Sequence, residues 1–362
     1  LTFFLHSPLT LQLTDSSGNV TGLATDDSVT QDIPGSTYGE FGEVKYVTVP
    51  EGGAYYLAAP LALTTADNGI TWQGMPGVRA RLSGGQRVTG WADDGTARGV
   101  YAASHATATR DVWAGPRRAT RARSAVVAGG WTKTAGGFTA PTSAIAGYAR
   151  PTDVELRGTA TWKTFFVGIA SAIGTAITAR EPDWGNAQSQ SGFTFDLPIW
   201  WENADELLAA GSWYWNAGTS VLKYQPIAGE YFAATEIVAG ALEAVVTITG
   251  TRATAATVVL RNLEVGDATW LEPSSTGYAA VQSGCTGYTG ASPAAIDCDL
   301  TPAAVRARYW SGTIDRVTIS RTGGAGLALQ IGTQGATVSQ STFHDIAGSA
   351  IQLRAWGQAL RG

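Results

Sequence analysis

An internal repeat within residues 305–353 constrains the fold more than any other feature of this sequence. When the segment is shifted by 24 residues against itself, apolar residues fall on apolar residues. The aligned pairs are Val305 with Leu329, Ala307 with Ile331, Ile314 with Val338, Ile319 with Phe343, Leu327 with Ile351, and Leu329 with Leu353. Apolar residues alternate with polar or small ones, which is typical of short β-strands. Strands recurring at this period predict an all-β chain built as a right-handed parallel β-helix, in which inward side chains of successive coils stack. A β-sandwich with coincidental spacing is the alternative.

The composition argues against nucleic acid as a partner and against a membrane span. Of the 362 residues, 44% are hydrophobic and 15% are charged, and the formal net charge is −5. The chain therefore lacks the basic excess expected of a nucleic-acid-binding protein, and no apolar run is long enough to predict a membrane span. The 13 Trp and 12 Tyr residues suit either carbohydrate stacking or core packing. With only His6, His105 and His344 and no phosphate-binding loop, the sequence predicts no metal and no cofactor.

The two cysteines, Cys285 and Cys298, lie in a loop rich in Gly, Ser and Pro. Their spacing does not fit a zinc site, and no His lies nearby. We expect a disulfide, which implies an oxidising compartment and a secreted protein.

The coil pattern divides the chain into four predicted regions. Residues 1–57 predict an N-terminal module resembling a small β-sandwich, and residues 58–91 predict the first coils. The period is lost over residues 92–232, which predict a β-rich insert, and the coils resume over residues 233–362.

Two segments of the insert carry specific predictions. Asn203–Ala210 predicts a helix with Asn203 as its N-cap, and we interpret Glu202 and Asn203 as anchoring the start of that helix. The segments SWYWN and VLKYQP predict a hairpin. The arginines at positions 117, 118, 121 and 123 are interpreted as part of a solvated strand and loop.

Several longer motifs resemble a known family. They are LTTADNGITWQGMPGVRARLSGGQRVTGW at 63–91, RRATRARS at 117–124, LPIWWENADELLAAGSWYWNAGTSVLKYQPIAGE at 197–230 and the coils at 236–353. Together they resemble secreted bacterial right-handed parallel β-helix proteins that include glycoside hydrolases of the fucosidase and xylanase type. The resemblance implies the fold, the β-rich insert and a polysaccharide substrate. It also implies further coils after Leu353 and catalytic carboxylates on central and later coils. The chain therefore looks C-terminally truncated, and the resemblance leaves open whether the catalytic pair lies in this chain or on the missing coils.

Glycoside hydrolysis needs two carboxyl groups, one as the acid and one as the base or nucleophile. A separation of about 5 Å gives retention, and about 6.5–9.5 Å gives inversion. The candidates are Asp315, Glu272 and the adjacent His344 and Asp345. The alternative for Asp345 is a turn residue that accepts backbone N–H bonds.

We therefore expect a glycoside hydrolase, or a catalytic-domain fragment of one, that acts on a polysaccharide through a carboxylate pair. The first alternative is a non-catalytic carbohydrate-binding or cell-surface module, and the second is a polysaccharide lyase. Trp270, Trp310 and Trp356 are expected to stack on sugar rings, the alternative being that each packs in the core or at an end.

The C-terminal coil end carries one more expectation. Ile351, Leu353 and Trp356 would lie partly uncovered at the end of the coils. Because exposed coil ends invite pairing, we expect either a homodimer through this end or a cap formed by Trp356 and Leu360.

Overall fold

The chain divides into two compact units, each described here by itself. The structure, a computed structural model, describes residues 2–6, 12–14, 19–24, 26–33, 36–41, 44–48, 53–74, 80–127, 129–160, 163–188, 197–279, 285–286 and 299–353. The first unit comprises Leu1–Gln86, Gly240–Thr269 and Pro302–Gly362, and the second comprises Arg87–Ala239 and Trp270–Thr301. The four predicted boundaries stay predictions.

Nearly all of the regular secondary structure in the described residues is β-strand. The strands up to residue 125 are β1 Thr2–His6, β2 Gln12–Thr14, β3 Val20–Leu23, β4 Val29–Gln31, β5 Thr37–Phe41, β6 Val44–Thr48, β7 Ala54–Tyr56, β8 Leu61–Thr64, β9 Thr71–Gln73, β10 Ala80–Ser83, β11 Gly85–Val88, β12 Ala92–Asp93, β13 Tyr101–Ser104, β14 Val112–Ala114, β15 Arg117–Arg118 and β16 Thr120–Arg121. Those up to residue 240 are β17 Thr132–Thr134, β18 Gly137–Thr139, β19 Glu155–Ala160, β20 Lys163–Ile173, β21 Ala176–Ala179, β22 Pro198–Glu202, β23 Ser212–Asn216, β24 Val221–Gln225 and β25 Ile237–Gly240. The remaining strands are β26 Val246–Thr249, β27 Val259–Arg261, β28 Leu263–Gly266, β29 Tyr278–Ala279, β30 Cys285–Thr286, β31 Asp299–Leu300, β32 Ala303–Arg308, β33 Thr313–Asp315, β34 Thr318–Thr322, β35 Ala325–Leu329, β36 Thr337–Ser339, β37 Thr342–Ile346 and β38 Ile351–Leu353.

Helices are few and short among the described residues. The two α-helices are α1 Asp183–Gln188 and α2 Glu272–Ser275. Single 3-10 turns cover Thr65–Asp67, Ile145–Gly147, Pro151–Asp153, Asp205–Leu207 and Phe232–Ala234.

The first unit contains three sets of parallel strands. In sheet order they are β36-β33-β27-β9, β37-β34-β28-β10-β7 and β38-β35-β32-β26-β8. The chain therefore visits each of the three sets in turn before it returns to the first.

The strand register confirms most of the repeat and corrects one part. Ile314 lies opposite Val338, Ile319 opposite Phe343 and Leu327 opposite Ile351, as the shift of 24 residues predicts. The predicted alignment of Val305 with Leu329 and of Ala307 with Ile331 is wrong, because Val305 pairs with Leu327 and Ala307 with Leu329. The connection between those strands is shorter by two residues, and turn lengths are not contained in the apolar pattern.

Inward side chains form columns that run across neighbouring strands. Each parallel set contributes one column. The column is Trp72, Leu260, Ile314 and Val338 in the set with β9; Leu82, Val265, Ile319 and Phe343 in the set with β10; and Leu63, Ile248, Ala307 and Leu329 in the set with β8. These residues are part of one apolar cluster or pack against it. Each of these strands thus packs its apolar residues beside those of the neighbouring parallel strand.

Not every sheet is parallel. In the first unit, β1 pairs antiparallel with both β6 and β9, and β5 pairs antiparallel with β6. Strands β2, β3 and β4 form a separate antiparallel sheet. The seven-stranded sheet that contains β9 is therefore mixed.

The second unit is built mainly from antiparallel sheets. One sheet has the order β17-β18-β21-β20-β19-β22, with β29 also paired to β20, and another has the order β12-β13-β24-β23-β16. The predicted hairpin is confirmed, because β23 and β24 pair in antiparallel register from Ser212–Gln225 to Asn216–Val221. The first sheet covers a core that includes Phe138, Leu156, Phe165 and Trp184.

The predicted helix over Asn203–Ala210 is wrong. Asn203 has a left-handed φ of 68°, and only the single 3-10 turn Asp205–Leu207 follows it. Its backbone N–H donates to the carbonyl of Ala122 at 2.7 Å, and its side-chain amide donates to the carbonyl of Asp153 at 2.9 Å. These two long-range bonds hold Asn203 in a conformation from which an α-helix cannot start.

The disulfide stays a prediction. The strands on either side of the loop, β30 and β31, pair antiparallel with Cys285 opposite Leu300. Cys298 lies outside the described residues.

Trp310 tests the packing of the parallel strands. It is fully buried, and its indole N–H donates to the carbonyl of Val258 at 3.0 Å. We expect Trp310→Ala to lower the free energy of unfolding by about 3–5 kcal/mol, because it leaves a cavity and an unpaired carbonyl. Denaturant unfolding measures this, with the exposed neighbour Ser311→Ala, expected to change it by less than about 0.5 kcal/mol, as the control. Equal effects of the two substitutions would contradict the packing.

Candidate functional site

Two of the predicted residues lie together on β37. Phe343 packs against the core, so His344, which follows it and lies opposite Ser320, faces outward. His344 and Asp345 are both exposed. This strand therefore presents an imidazole and a carboxylate to solvent.

The backbone at Asp345 belongs to a column of left-handed residues. Ser320 pairs with His344 and Thr322 with Ile346, so Arg321 and Asp345 occupy equivalent positions. Their φ angles are 56° and 51°. This repeated corner favours the alternative in which the conformation of Asp345 serves the turn.

The same column continues to Asp267, whose φ is 60°. Asp267 is fully buried and contacts Arg321 Nε at 2.6 Å and Arg81 Nε at 3.3 Å. It also accepts a hydrogen bond of 2.5 Å from Ser83 Oγ. Burial raises the pKa of Asp267, against the opposing charges of Arg321 and Arg81. Because it is buried and paired in this way, we interpret Asp267 as a structural residue.

Asp315 is held by three neighbours on the outer side of β33. Its carboxylate accepts a hydrogen bond of 2.9 Å from Ser339 Oγ and lies 3.2 Å from Arg261 Nε and 2.9 Å from Arg316 Nη2. Two guanidinium groups and one hydroxyl therefore contact this carboxylate. Asp315 and Asp345 lie on strands of different sheets.

Glu272 and Trp270 lie in the second unit. Glu272 begins α2, and its Oε2 accepts a hydrogen bond of 3.3 Å from the Trp270 indole. Trp270 is half-buried and packs edge-on against Tyr278, with ring centroids 4.5 Å apart. Trp270 keeps some exposed ring surface that a ligand can reach.

The expectation of sugar stacking is wrong for Trp310. Its exposure is 0%, so it has no surface to offer a ligand. The stack of strands encloses it, and its indole N–H is used within the core. Trp356 lies outside the described residues.

Sequence reasoning missed a cluster of buried charges in the second unit. Glu155 and Glu202 lie opposite each other on β19 and β22 and are 3% and 5% exposed. Arg121 contacts Glu155 at 2.8 and 3.0 Å and Glu202 at 3.1 Å, while Arg110 donates to Glu155 and to Ser274 Oγ. Glu202 therefore pairs with arginines and does not anchor a helix, and the interpretation of Arg121 as solvated is wrong.

This cluster does not behave as an acid–base pair. Burial opposes ionisation of Glu155, but the charges of Arg110 and Arg121 outweigh it and hold the pKa of Glu155 well below its usual range. A general acid must carry a proton near the working pH. Glu155 is therefore a permanent anion that offsets the buried guanidinium groups.

We expect the cluster to make stability depend on pH. Because the pKa of Glu155 is lowered on folding, its contribution is full above the ordinary value of 4.5 and is lost as the pH falls below it. Glu155→Gln should cost about 3–5 kcal/mol at pH 7, since it leaves buried arginines unpaired, and the difference should narrow on acidification. Denaturant unfolding of both proteins at several pH values measures this. The exposed Glu181→Gln is the control, and a difference independent of pH would overturn the assignment.

No group of three or more His, Cys, Asp or Glu side chains in the described ranges is arranged to hold a metal ion. None of the helices in the same ranges is long and apolar enough to cross a membrane.

Comparison with known proteins identifies the fold but no family. No family model matches the sequence, and no curated protein matches it. A solved structure described as "Glycoside hydrolase" is similar at 21% identity with a TM-score of 0.63, over 80% of this chain and 56% of that chain. The chain thus has a glycoside hydrolase-like fold and spans little more than half the length of that protein.

Proposed function

We propose that this chain is a glycoside hydrolase, or a catalytic-domain piece of one, acting on a polysaccharide. The observation that carries the proposal is the likeness of the fold, over 80% of the chain, to a protein described as a glycoside hydrolase. The likeness supports a carbohydrate partner in general, and the proposal specifies a polysaccharide. The proposed setting is secreted, in keeping with the disulfide expected between Cys285 and Cys298.

The proposed architecture of the first unit is a right-handed parallel β-helix. Support comes from the three sets of parallel strands, visited in turn, and from columns of apolar side chains at equivalent positions. An open solenoid face suits a long polymer, because equivalent outward positions on neighbouring coils form a continuous surface.

Within this proposal, Asp315 and Asp345 with His344 are the candidate catalytic groups of the first unit. Asp315, held by Arg261 and Arg316, suits the role of base or electrostatic stabiliser. His344 and Asp345 are exposed and open to substrate. Glu272, in the second unit, is not needed for this assignment.

A non-catalytic carbohydrate-binding module is the second candidate. It is favoured by the pairing of Glu155 with arginines, because the lowered pKa of Glu155 makes it a poor proton donor. Either candidate is compatible with pairing of two copies through the last described strand, where Ile351 is 41% and Leu353 is 74% exposed.

Hydrolysis and binding measured in parallel on the same polysaccharides separate the two candidates. If the chain is catalytic, wild type releases reducing ends, and Asp345→Asn and Asp315→Asn lower the rate by about 10²-fold or more. Asp27→Asn, an exposed carboxylate elsewhere in the first unit, is the control and should leave the rate unchanged.

Each other result has a defined meaning. Binding of a polysaccharide without any hydrolysis would support the non-catalytic module. Hydrolysis that survives both Asp substitutions would keep the enzyme and reject these residues.

A further inference from the structure

One face of the second unit carries a row of aromatic and arginine side chains that no role described so far uses. Trp200 on β22 lies opposite Arg157 on β19, Arg157 lies opposite Phe166 on β20, and Phe166 lies opposite Tyr278 on β29. Residues at matching positions across a sheet face the same side. The row therefore crosses four strands and ends at Trp270, which packs on Tyr278.

The arginine of this row lies between two aromatic rings. Arg157 Cζ is 4.2 Å from the centroid of the Phe166 ring and 5.1 Å from that of Trp200. Arg123 Cζ lies 5.7 Å from the same Trp200 ring. Trp200 and Arg157 are half-buried and Arg123 is exposed, so a ligand can reach the group.

Neither of these two arginines is in direct contact with a carboxylate in the part of the chain that the structure describes. The Arg157 and Arg123 side chains form no ion pair and no hydrogen bond there, and Arg157 Nε is buried without a hydrogen-bond partner. Burial lowers the pKa of Arg157, and the charges of Glu202 and Glu155 oppose this shift. A guanidinium nevertheless stays charged, so its donors remain available to an anion.

The neighbouring carboxylates compensate this charge only in part. Glu155 and Glu202, one row away, are already paired with Arg110 and Arg121. Counting these two carboxylates and the four arginines leaves a net charge of +2 on this group (4 − 2), and Glu272, which accepts a hydrogen bond from Trp270 at the far end of the row, lowers it to +1 for the whole row. Most proteins avoid a partly buried charge without a counter-charge unless a ligand supplies it.

We propose that Arg157, Arg123 and Trp200 form a binding site for an acidic sugar, whose carboxylate or sulfate group pairs with the guanidinium groups while its ring lies against the indole. Arginine donors match planar and tetrahedral oxyanions with paired hydrogen bonds. The apolar face of a sugar ring packs on a flat aromatic surface, and Trp200 supplies that surface. The choice of a sugar rests on the proposed function, whereas the anion site rests on the charges alone.

The test is calorimetric titration with three polymers at about 0.15 M salt. The probes are polygalacturonate, which carries carboxylates, dextran sulfate, which carries sulfates, and neutral dextran. Wild type should bind at least one acidic polymer at least tenfold more tightly than neutral dextran. The acidic polymer that binds identifies the group recognised.

The variants are Arg157→Met, which keeps the length of the side chain and removes the charge, and Arg123→Met. Each should weaken binding of the acidic polymer about tenfold or more. Because Arg123 is exposed, its substitution tests the site even if Arg157→Met fails to fold. The control is Arg87→Met, an exposed arginine of the same unit, which should stay within twofold of wild type.

Two results would overturn the inference. One is wild-type binding to neither acidic polymer in preference to neutral dextran, and the other is acidic binding that Arg123→Met and Arg157→Met leave unchanged. The hydrolysis assay is an independent measurement. Binding of an acidic polymer without any hydrolysis would support this site and reject the proposed enzyme. Hydrolysis of neutral polymers, without preferential binding of an acidic polymer, would support the enzyme and reject this site.

Discussion

The stacking of apolar side chains on equivalent residues of the next strand is the constraint on which the first unit depends. Neighbouring strands lie about 4.8 Å apart, so one inward residue covers the next along each column. Columns such as Leu82, Val265, Ile319 and Phe343 remove apolar surface from water only while the register is kept. A slip of one residue would turn every column outward, which explains why the apolar alternation is strict in the repeat.

A left-handed backbone at equivalent positions of neighbouring strands is a second constraint on this unit, and polar residues occupy those positions. Asp267, Arg321 and Asp345 repeat a left-handed backbone at one corner, and Asp267 and Arg321 pair there. In the second unit the buried polar residues have a different origin. There Glu155 and Glu202 meet across a strand pair and offset arginines from β16 and from the loop before β14.

A structural feature of this protein could be predicted from the sequence when it depends on neighbouring residues, and not when it depends on residues far apart in the chain. Apolar alternation is local, so the strands and most of the 24-residue register could be predicted, as Ile314 and Val338 show. Three other features depend on contacts distant in sequence, and no local pattern contains them. They are the shorter connection after Val305, the left-handed backbone of Asn203 and the pairing of Glu155 with Glu202. For the candidate site, the sequence predicted residue types. It could not predict which carboxylates the arginines hold.

Cross-linking of register partners tests the stacked parallel arrangement most directly. Thr313 and Thr337 are outward partners on β33 and β36, whereas Thr342 lies on a strand of another sheet. After mild oxidation and peptide mass spectrometry, the pair Thr313→Cys with Thr337→Cys should form a cross-link in high yield, because adjacent parallel strands bring the two Cα atoms within disulfide range. The pair Thr313→Cys with Thr342→Cys should form little. Equal yields from both pairs, or no cross-link between positions 313 and 337, would contradict the stacking of these coils.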